Sequence, residues 1–496
     1  LSLLDLLIVL PILAAVVMAF GLPARPAALA AACANLAIGL LLAFRFDYGN
    51  ATAFQFAAIR PVLDNPAIGL NVGIDGMSLV MVLLTVLVTF AAIWIRPARG
   101  TDDALYYASS LLIAAGAAGA FVSTDLLFFY AFHELALIPT FLMIGMRGTG
   151  NNKDAAWKIT IYLGLGSLVL LAGLAFLITA PAGGVSTFDM TKLGALTRTI
   201  EGPVQERIYL VLLLGFGTLV SLFPFHSWAA PAYASAPAPV TMLHAGVLKK
   251  FGLYGLLRVA VPMLPLGHSA EWIQHLLIVL LVGNILFVGL VTIAQKEVDT
   301  MLGNSSVMHM GYIFLGIASG SAIGYSGAVL LMFAHGVSIA LLFALSASIR
   351  EKTGTLQFHR LGGLAQSAPF LGLAFGMAAF ASIGLPGFAN FAAEINIFFS
   401  GFASKSPDHF GWLQTGTVLA LWGVVISAVY MLRAFRAVFK GPLPDSLKSP
   451  VSDLSLSERI PALLLIAALL LTGFAPNLLL RAVNPVVQAI TAAAAR

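Results

Sequence analysis

The sequence predicts an all-α polytopic membrane protein of about 14 transmembrane helices, built as two inverted repeats that each contain a broken helix. Three observations predict it. Hydrophobic residues make up 60% of the 496 residues and charged residues only 9%, with a mean hydropathy of +0.97. A soluble globular chain carries about 25% charged residues. The apolar residues gather into runs of about 20, the length that crosses a hydrocarbon core. Two of these runs are interrupted, one by the Pro- and Ala-rich stretch between Pro224 and Pro239, the other by Gly-Leu-Pro-Gly at 384–387.

In chain order the expected spans lie near 2–21, 27–45, 77–96, 104–122, 124–146 and 157–180. Next come the broken pair 208–223 and 239–261, then 273–294, 301–319 and 324–349. The last are 367–384 with its continuation 389–403, 411–437 and 459–481. The N-terminus is apolar at once, without a charged leader or a small-residue cleavage site, so the first run reads as a retained span. Polar connections are expected at 46–76, 181–207 and 438–458. The third holds Lys440, Pro442, Pro444, Asp445 and Lys448, and should lie along the membrane surface ahead of one final span. Lys and Arg occur in loops of both parities, which leaves orientation open. The expected organisation is N-terminal helices over 1–100, a first repeat over 101–265, a second over 266–440, and a surface loop with a C-terminal helix over 441–496.

Proline withholds a backbone donor and bars the residue before it from helical geometry, so a helix beginning near Ile208 must stop at Pro224. A broken helix is tolerated in a bilayer only where its freed amides and carbonyls face protein or water. Ionisable residues just beyond such breaks read as parts of an ion path. Lys249 and Lys250 follow the first break, pointing about 100° apart on one helix. Glu394 follows the second, deep in an apolar run.

Glu134 lies well inside an apolar helix, where an unpaired charge costs ~2.5–3.5 kcal/mol or more. Lys250 is its expected partner; the alternative is a protonated carboxyl that fixes helix packing. Asp125 opens the same helix and suits either a cap or the relay. Lys158 opens the next helix, and Lys296, Glu297 and Asp299 cluster after 273–294, as interfacial charges or as members of the path. His309 and His335 occupy successive helices, with Ser305 and Ser306 close by. That grouping suggests a proton relay, against the alternative of two satisfied core histidines.

Other functions lack their residues. One cysteine, Cys33, permits no internal disulfide, and ligand spacings for haem, iron–sulfur clusters or zinc are missing. The net charge of +5 is scattered through loops, without the basic cluster that nucleic acid requires. Gly164 and Gly166 follow no strand, so they read as helix-packing positions and not as a nucleotide loop.

Eight motifs carry a resemblance. They are VGIDGMSLVMVLLT at 72–85, DLLFFYAFHELALIP at 125–139, AAWKITIYLGLGS at 155–167 and FPFHSW at 223–228. The others are VLKKFGLYGLLR at 247–258, NSSVMHMGY at 304–312, AHG at 334–336 and GLPGFANFAAE at 384–394. Through them the chain resembles the antiporter-like membrane subunits of respiratory complex I, NADH:quinone oxidoreductase, and most of all the M type. The resemblance implies a non-redox subunit of a proton-translocating complex in the bacterial inner membrane or an equivalent energy-transducing membrane. It implies lipids and L-type and N-type antiporter-like subunits as neighbours. It also implies no cofactor or metal in this subunit, with flavin, iron–sulfur clusters and quinone in partner subunits.

Matched to the family, the relay glutamate falls on Glu134, the broken-helix lysine on Lys250 and the terminal charge on Glu394, with Lys249 as an extra. Lys158, His309 and His335 also fall on family positions. Protons would pass along this series, driven by quinone reduction elsewhere in the complex. Three departures stand out. Ala-Pro-Ala-Tyr at 230–233 replaces Pro-Asp-Ala-His, and His133 replaces an aromatic. The family's central lysine falls on Asp299, with Lys296 three residues earlier as a candidate substitute. Mrp-type cation/proton antiporters and membrane-bound hydrogenases share the motifs and form one alternative. A structural spacer without transport is the other, supported by the departures.

Overall fold

Short polar residues start many of the helices, and glycine or proline follows many of their ends, so the apolar runs become separate rods. The computed structural model describes residues 2–95, 104–181, 187–403, 410–444 and 451–494. Asp445 and Lys448 lie outside the described residues. Ser2 and Asp5 form a capping box on α1 (Leu3–Ala19), and α2 is Ala24–Arg45. Asp75 caps α3 (Gly76–Trp94), α4 is Ala104–Val122, and Asp125 caps α5 (Leu126–Arg147). Then follow α6 (Asn152–Thr179), α7 (Gly202–Val220), α8 (238–263), α9 (Glu271–Ala294) and α10 (Val298–Ala318). The rest are α11 (Ala322–Thr353), α12 (Pro369–Ile383), α13 (Ala389–Phe402), α14 (Trp412–Phe439), α15 (Leu456–Phe474) and α16 (Asn477–Ala494). Among the described residues, ten helices are long and apolar enough to cross a membrane. α10 is not one of them, because Asn304, Ser305, Ser306 and His309 lower its hydropathy.

Three elements differ from expectation. The connection 46–76 is a long antiparallel hairpin, not an irregular loop. In it β1 (Gln55–Ala58) pairs with β4 (Val72–Ile74), and β2 (Pro61–Asp64) pairs with β3 (Ala67–Gly69). Asn65 and Pro66 supply its turn. The expected last span 459–481 divides at Pro476, which cannot continue α15, so two helices follow residue 440 instead of one. α16 is amphipathic, burying Val483 and Val487 while Arg481 lies 3.8 Å from the Tyr48 ring. The third difference concerns the first break. Its two limbs are α7 and a short helix, Ala229–Ser235; α8, which carries the lysines, is a separate rod entered through extended Ala236 and Pro237.

Contacts between loops sort the helix ends onto two faces. On the hairpin face, the Gly69 amide donates to Asp125 Oδ2 at 3.0 Å, and His268 bridges Tyr209 and Tyr325, each at 2.9 Å. On the opposite face, the Thr149 amide meets the Ser235 carbonyl at 2.8 Å, Arg350 reaches Asp299 at 2.6 Å, and the Gly363 amide meets the Lys440 carbonyl at 2.9 Å. Hence α7 enters from the hairpin face and α12 from the opposite face, so the two broken helices run antiparallel, as inverted repeats require. α3, α4, α8, α10 and α11 form the buried centre. α6 and α14 turn Trp157, Leu165, Phe176 and Trp422 outward, apolar exposure suited to lipid or a partner subunit.

Candidate functional site

Both broken helices end in the same way. Ser221, at φ 72°, closes α7, with the Leu222 amide bonded to the Gly217 carbonyl at 2.7 Å. Gly384, at φ 80°, closes α12, with the Leu385 amide bonded to the Phe380 carbonyl at 3.1 Å. This left-handed cap needs one residue with positive φ, which glycine adopts without strain and serine does not. Asn284 of α9 supports the serine end: its amide donates to the Ser221 and Val307 carbonyls, each at 3.0 Å, and its oxygen accepts from the Phe223 amide at 2.6 Å. A lone Asn in the apolar run 273–294 was the sequence signal for this brace.

α8 is not a plain α-helix. Two π turns, His244–Leu248 and Leu256–Ala260, flank its central residues. A π turn frees a carbonyl from the usual ladder. Lys250 Nζ takes that of Ala245, at 2.5 Å. Lys249 points elsewhere. Its Nζ lies 3.4 Å from Ser306 Oγ on α10 and 5.6 Å from the ring centroid of Tyr233.

From Ser306 the polar groups continue. Its hydroxyl is 3.2 Å from His335 Nε2 on α11, and the His335 ring stacks on His309 at 5.1 Å and 13°. His309 places Nδ1 at 2.8 Å from the Ser305 carbonyl and Nε2 at 2.8 Å from the Ser382 carbonyl. Ser382 lies in the last turn of α12, where carbonyls have no intrahelical partner. A neutral imidazole donates to only one of two carbonyls; a proton gained there completes the second bond. Glu394, on α13, is buried and sets its carboxylate against Gly384, where any side chain would collide with it. Glu394 Oε1, Tyr312 Oη, His335 Nδ1 and both amide atoms of Asn390 are buried with no protein partner. Buried polar atoms of this kind are normally satisfied by water.

Glu134 does not meet Lys250, contrary to expectation. Its carboxylate accepts from the Ser167 hydroxyl of α6 and lies 3.3 Å from His133 Nδ1, while its side chain is 35% exposed on the outer surface. His133 is the buried link: its ring stacks on Phe251, the neighbour of Lys250, at 4.0 Å. Depth in the membrane was readable from sequence, but the side of the helix was not. Asp125 acts as a cap, accepting from the Leu127 and Phe128 amides at 2.9 and 3.2 Å. Burial pushes its carboxyl up, against the Gly69, Phe128 and Leu127 amides.

The remaining expected residues lie apart from the central row. Lys158 is half-buried on α6. Lys296 is exposed on the opposite face, and its carbonyl accepts from the Phe358 amide at 3.0 Å. Asp299 is buried, paired with Arg350 at 2.6 Å and Ser346 at 2.5 Å. A second ion pair escaped the sequence reading altogether. Arg258 at the far end of α8 makes a bidentate pair with Asp75, at 2.6 and 2.7 Å, and so joins two of the flagged motifs. Tyr233, in the stretch that departs from the family pattern, supplies a polar group of its own: its hydroxyl bonds His244 Nδ1 at 3.1 Å.

Comparison with known proteins agrees with this architecture. Residues 123–420 match the profile of the family described as NADH:quinone oxidoreductase/Mrp antiporter, TM. The chain is 37% identical to NAD(P)H-quinone oxidoreductase chain 4 2 of Microcystis aeruginosa over 380 residues, 76% of this chain and 67% of the relative. It is 34% identical to the protein of that name from Thermosynechococcus vestitus over 453 residues, 90% of this chain and 83% of the relative. A chain of respiratory complex I from Thermus thermophilus superposes with a TM-score of 0.89 at 29% identity, covering 99% of both chains. A chain of the Mrp complex from Dietzia sp. shares the fold, with a TM-score of 0.83 at 21% identity over 98% of this chain and 97% of that one. The chain therefore belongs to the NADH:quinone oxidoreductase/Mrp antiporter membrane family, as an antiporter-like subunit of the chain 4 type.

Proposed function

We propose that this chain translocates protons as a non-redox subunit in the membrane arm of an NAD(P)H:quinone oxidoreductase. One observation carries the reading: a row of buried protonatable groups, Lys249–Ser306–His335–His309, runs from the lysine helix to the end of α12 at the second break, on whose far limb Glu394 is buried. A greasy interior retains such groups at high cost unless they hand charge to one another. In this proposal the repeats 101–265 and 266–440 each supply one end of the row. Redox chemistry, with flavin, iron–sulfur clusters and quinone, stands with partner subunits.

Glu134 faces outward, where an L-type or N-type neighbour would cover it. A charge change on that neighbour alters Glu134, and His133 against Phe251 conveys the change toward Lys250. Lys250, released from the Ala245 carbonyl, then biases the charge of the row beside it. Water connects groups that helix spacings of ~8–10 Å keep beyond one hydrogen bond. Lys158 tunes the Glu134 side, and the Asp299–Arg350 pair with Lys296 marks the opposite face.

Lys250→Ala tests the proposal. The assembled complex should keep its electron transfer but lose proton translocation through this subunit, read as protons moved per electron. An unchanged ratio rejects it. The Mrp-type reading has the shared fold in its favour; purification with antiporter subunits alone, free of flavin and iron–sulfur partners, would select it over the first.

A further inference from the structure

A cavity of about 330 Å³ lies at the opposite face, among residues of α4, α8, α10 and α11. Thr241, Asp299, Ser346 and Arg350 give it polar walls, and Tyr233 belongs to its lining. Lys249 lies over the Tyr233 ring, 5.6 Å from the centroid. The tyrosine is held in place: its hydroxyl bonds His244 Nδ1 at 3.1 Å, and its ring packs edge-on to Trp228 and Phe343 at 6.0 and 5.9 Å. Tyr233 and Lys249 are 2% and 1% exposed, so the ring separates a polar cavity from a buried amine.

We propose that this cavity is the aqueous uptake port of the relay, that Lys249 is the first group to take the proton, and that the Tyr233 ring is the gate between them. The inference rests on the proton-translocation reading and adds to it a port, a gate and a residue. Each step balances. A hydronium in the cavity gives its proton to the neutral Lys249 amine and leaves as water. Lys249 then gives a proton to Ser306 Oγ as Ser306 gives its own to His335 Nε2, across 3.4 and 3.2 Å. Lys249 returns to the neutral amine and His335 becomes the imidazolium. Lys250, adjacent in sequence, supplies the push: two ammonium groups repel in a low-dielectric site, so a charged Lys250 drives the proton onward. His244 on α8, His309 on α10 and His226 at the first break also lie within electrostatic reach of Lys249. His244 Nε2 is buried without a protein partner, available to water that enters past the ring.

The experiment uses the assembled complex in sealed membrane vesicles of known sidedness. Cys33, the single native cysteine, is first replaced by Ser. Ala347→Cys at the cavity's outer wall and Thr241→Cys at its inner wall are exposed to a membrane-impermeant maleimide. Both should label from one side of the membrane only. Labelling of neither, or of Ala347→Cys alone, overturns the port. Lys249→Met should cut proton translocation at least tenfold while electron transfer continues. Tyr233→Phe, which keeps the ring, should leave the vesicles proton-tight, and Tyr233→Ala should make them leak protons. A tight Tyr233→Ala variant overturns the gate. If Lys250→Ala and Glu394→Gln stop translocation but Lys249→Met does not, Lys249 loses its role and the parent reading stands. If none of the three stops it, the parent reading falls instead.

Discussion

The two broken helices share a cap and differ in almost everything placed around it. In the second repeat the residue at positive φ is glycine, and the bare Cα makes room for a carboxylate carried on the far limb of the same helix. In the first repeat it is serine, braced from α9 by Asn284, and the far limb is short and uncharged. Counting equally from the two caps, the position of Glu394 falls in the first repeat on Pro231. The lysines that play the first repeat's part stand on the following helix, positioned by a π turn. Inverted repeats thus fix where the backbone opens, while the ionisable group beside the opening is supplied separately in each half.

The comparison can be broken at the level of activity. Glu394→Gln keeps the shape beside Gly384 and removes the charge, and should lower proton translocation to a tenth or less in an assembled complex. Normal translocation would mean that the second break needs no carboxylate. Gly384→Val places a branched side chain at φ 80° and into the Glu394 carboxylate. Strain of ~1–2 kcal/mol adds to the collision, so melting of the purified complex should move down clearly. Asn284→Leu removes the side-chain partner of the Phe223 amide and of the Ser221 carbonyl at the first break, at about 1–3 kcal/mol for each buried group left unsatisfied. The same melting measurement should show a loss of comparable size, with electron transfer retained by whatever complex assembles. Ser221→Gly is the smallest change and of opposite sign: easing the left-handed residue should add at most about 1 kcal/mol. A loss of stability there would show that the serine hydroxyl, bonded to the Val220 carbonyl, matters more than the strain.

Proline and glycine made both breaks legible, because they act on the backbone where they stand. The span 367–384 and its continuation 389–403 appear as α12 and α13 for that reason. Glu394, His309 and His335 were legible as buried because each lies far from the end of an apolar run. The direction in which a side chain points was not legible. Glu134 and Lys250 sit at plausible depths, yet one turns outward and the other folds onto its own helix. Asp75 and Arg258 lay in motifs already singled out, but a pair so far apart in sequence leaves no local pattern. The π turns of α8 are invisible too, since they shift register without any special residue type. The part played by Tyr233 was not legible either, since only the fold brings its hydroxyl to His244.

The polarity of α10 has a consequence for how the protein is made. Its serines, asparagine and histidine keep it out of the set of helices apolar enough to cross a membrane. Such a segment partitions poorly into lipid alone, by about the energy that each polar residue adds at mid-bilayer. α11 follows it after three residues and is apolar enough to cross, so the two can leave the translocon as a hairpin. The helix that holds His309 and Ser306 of the relay therefore depends on its neighbour to enter the membrane.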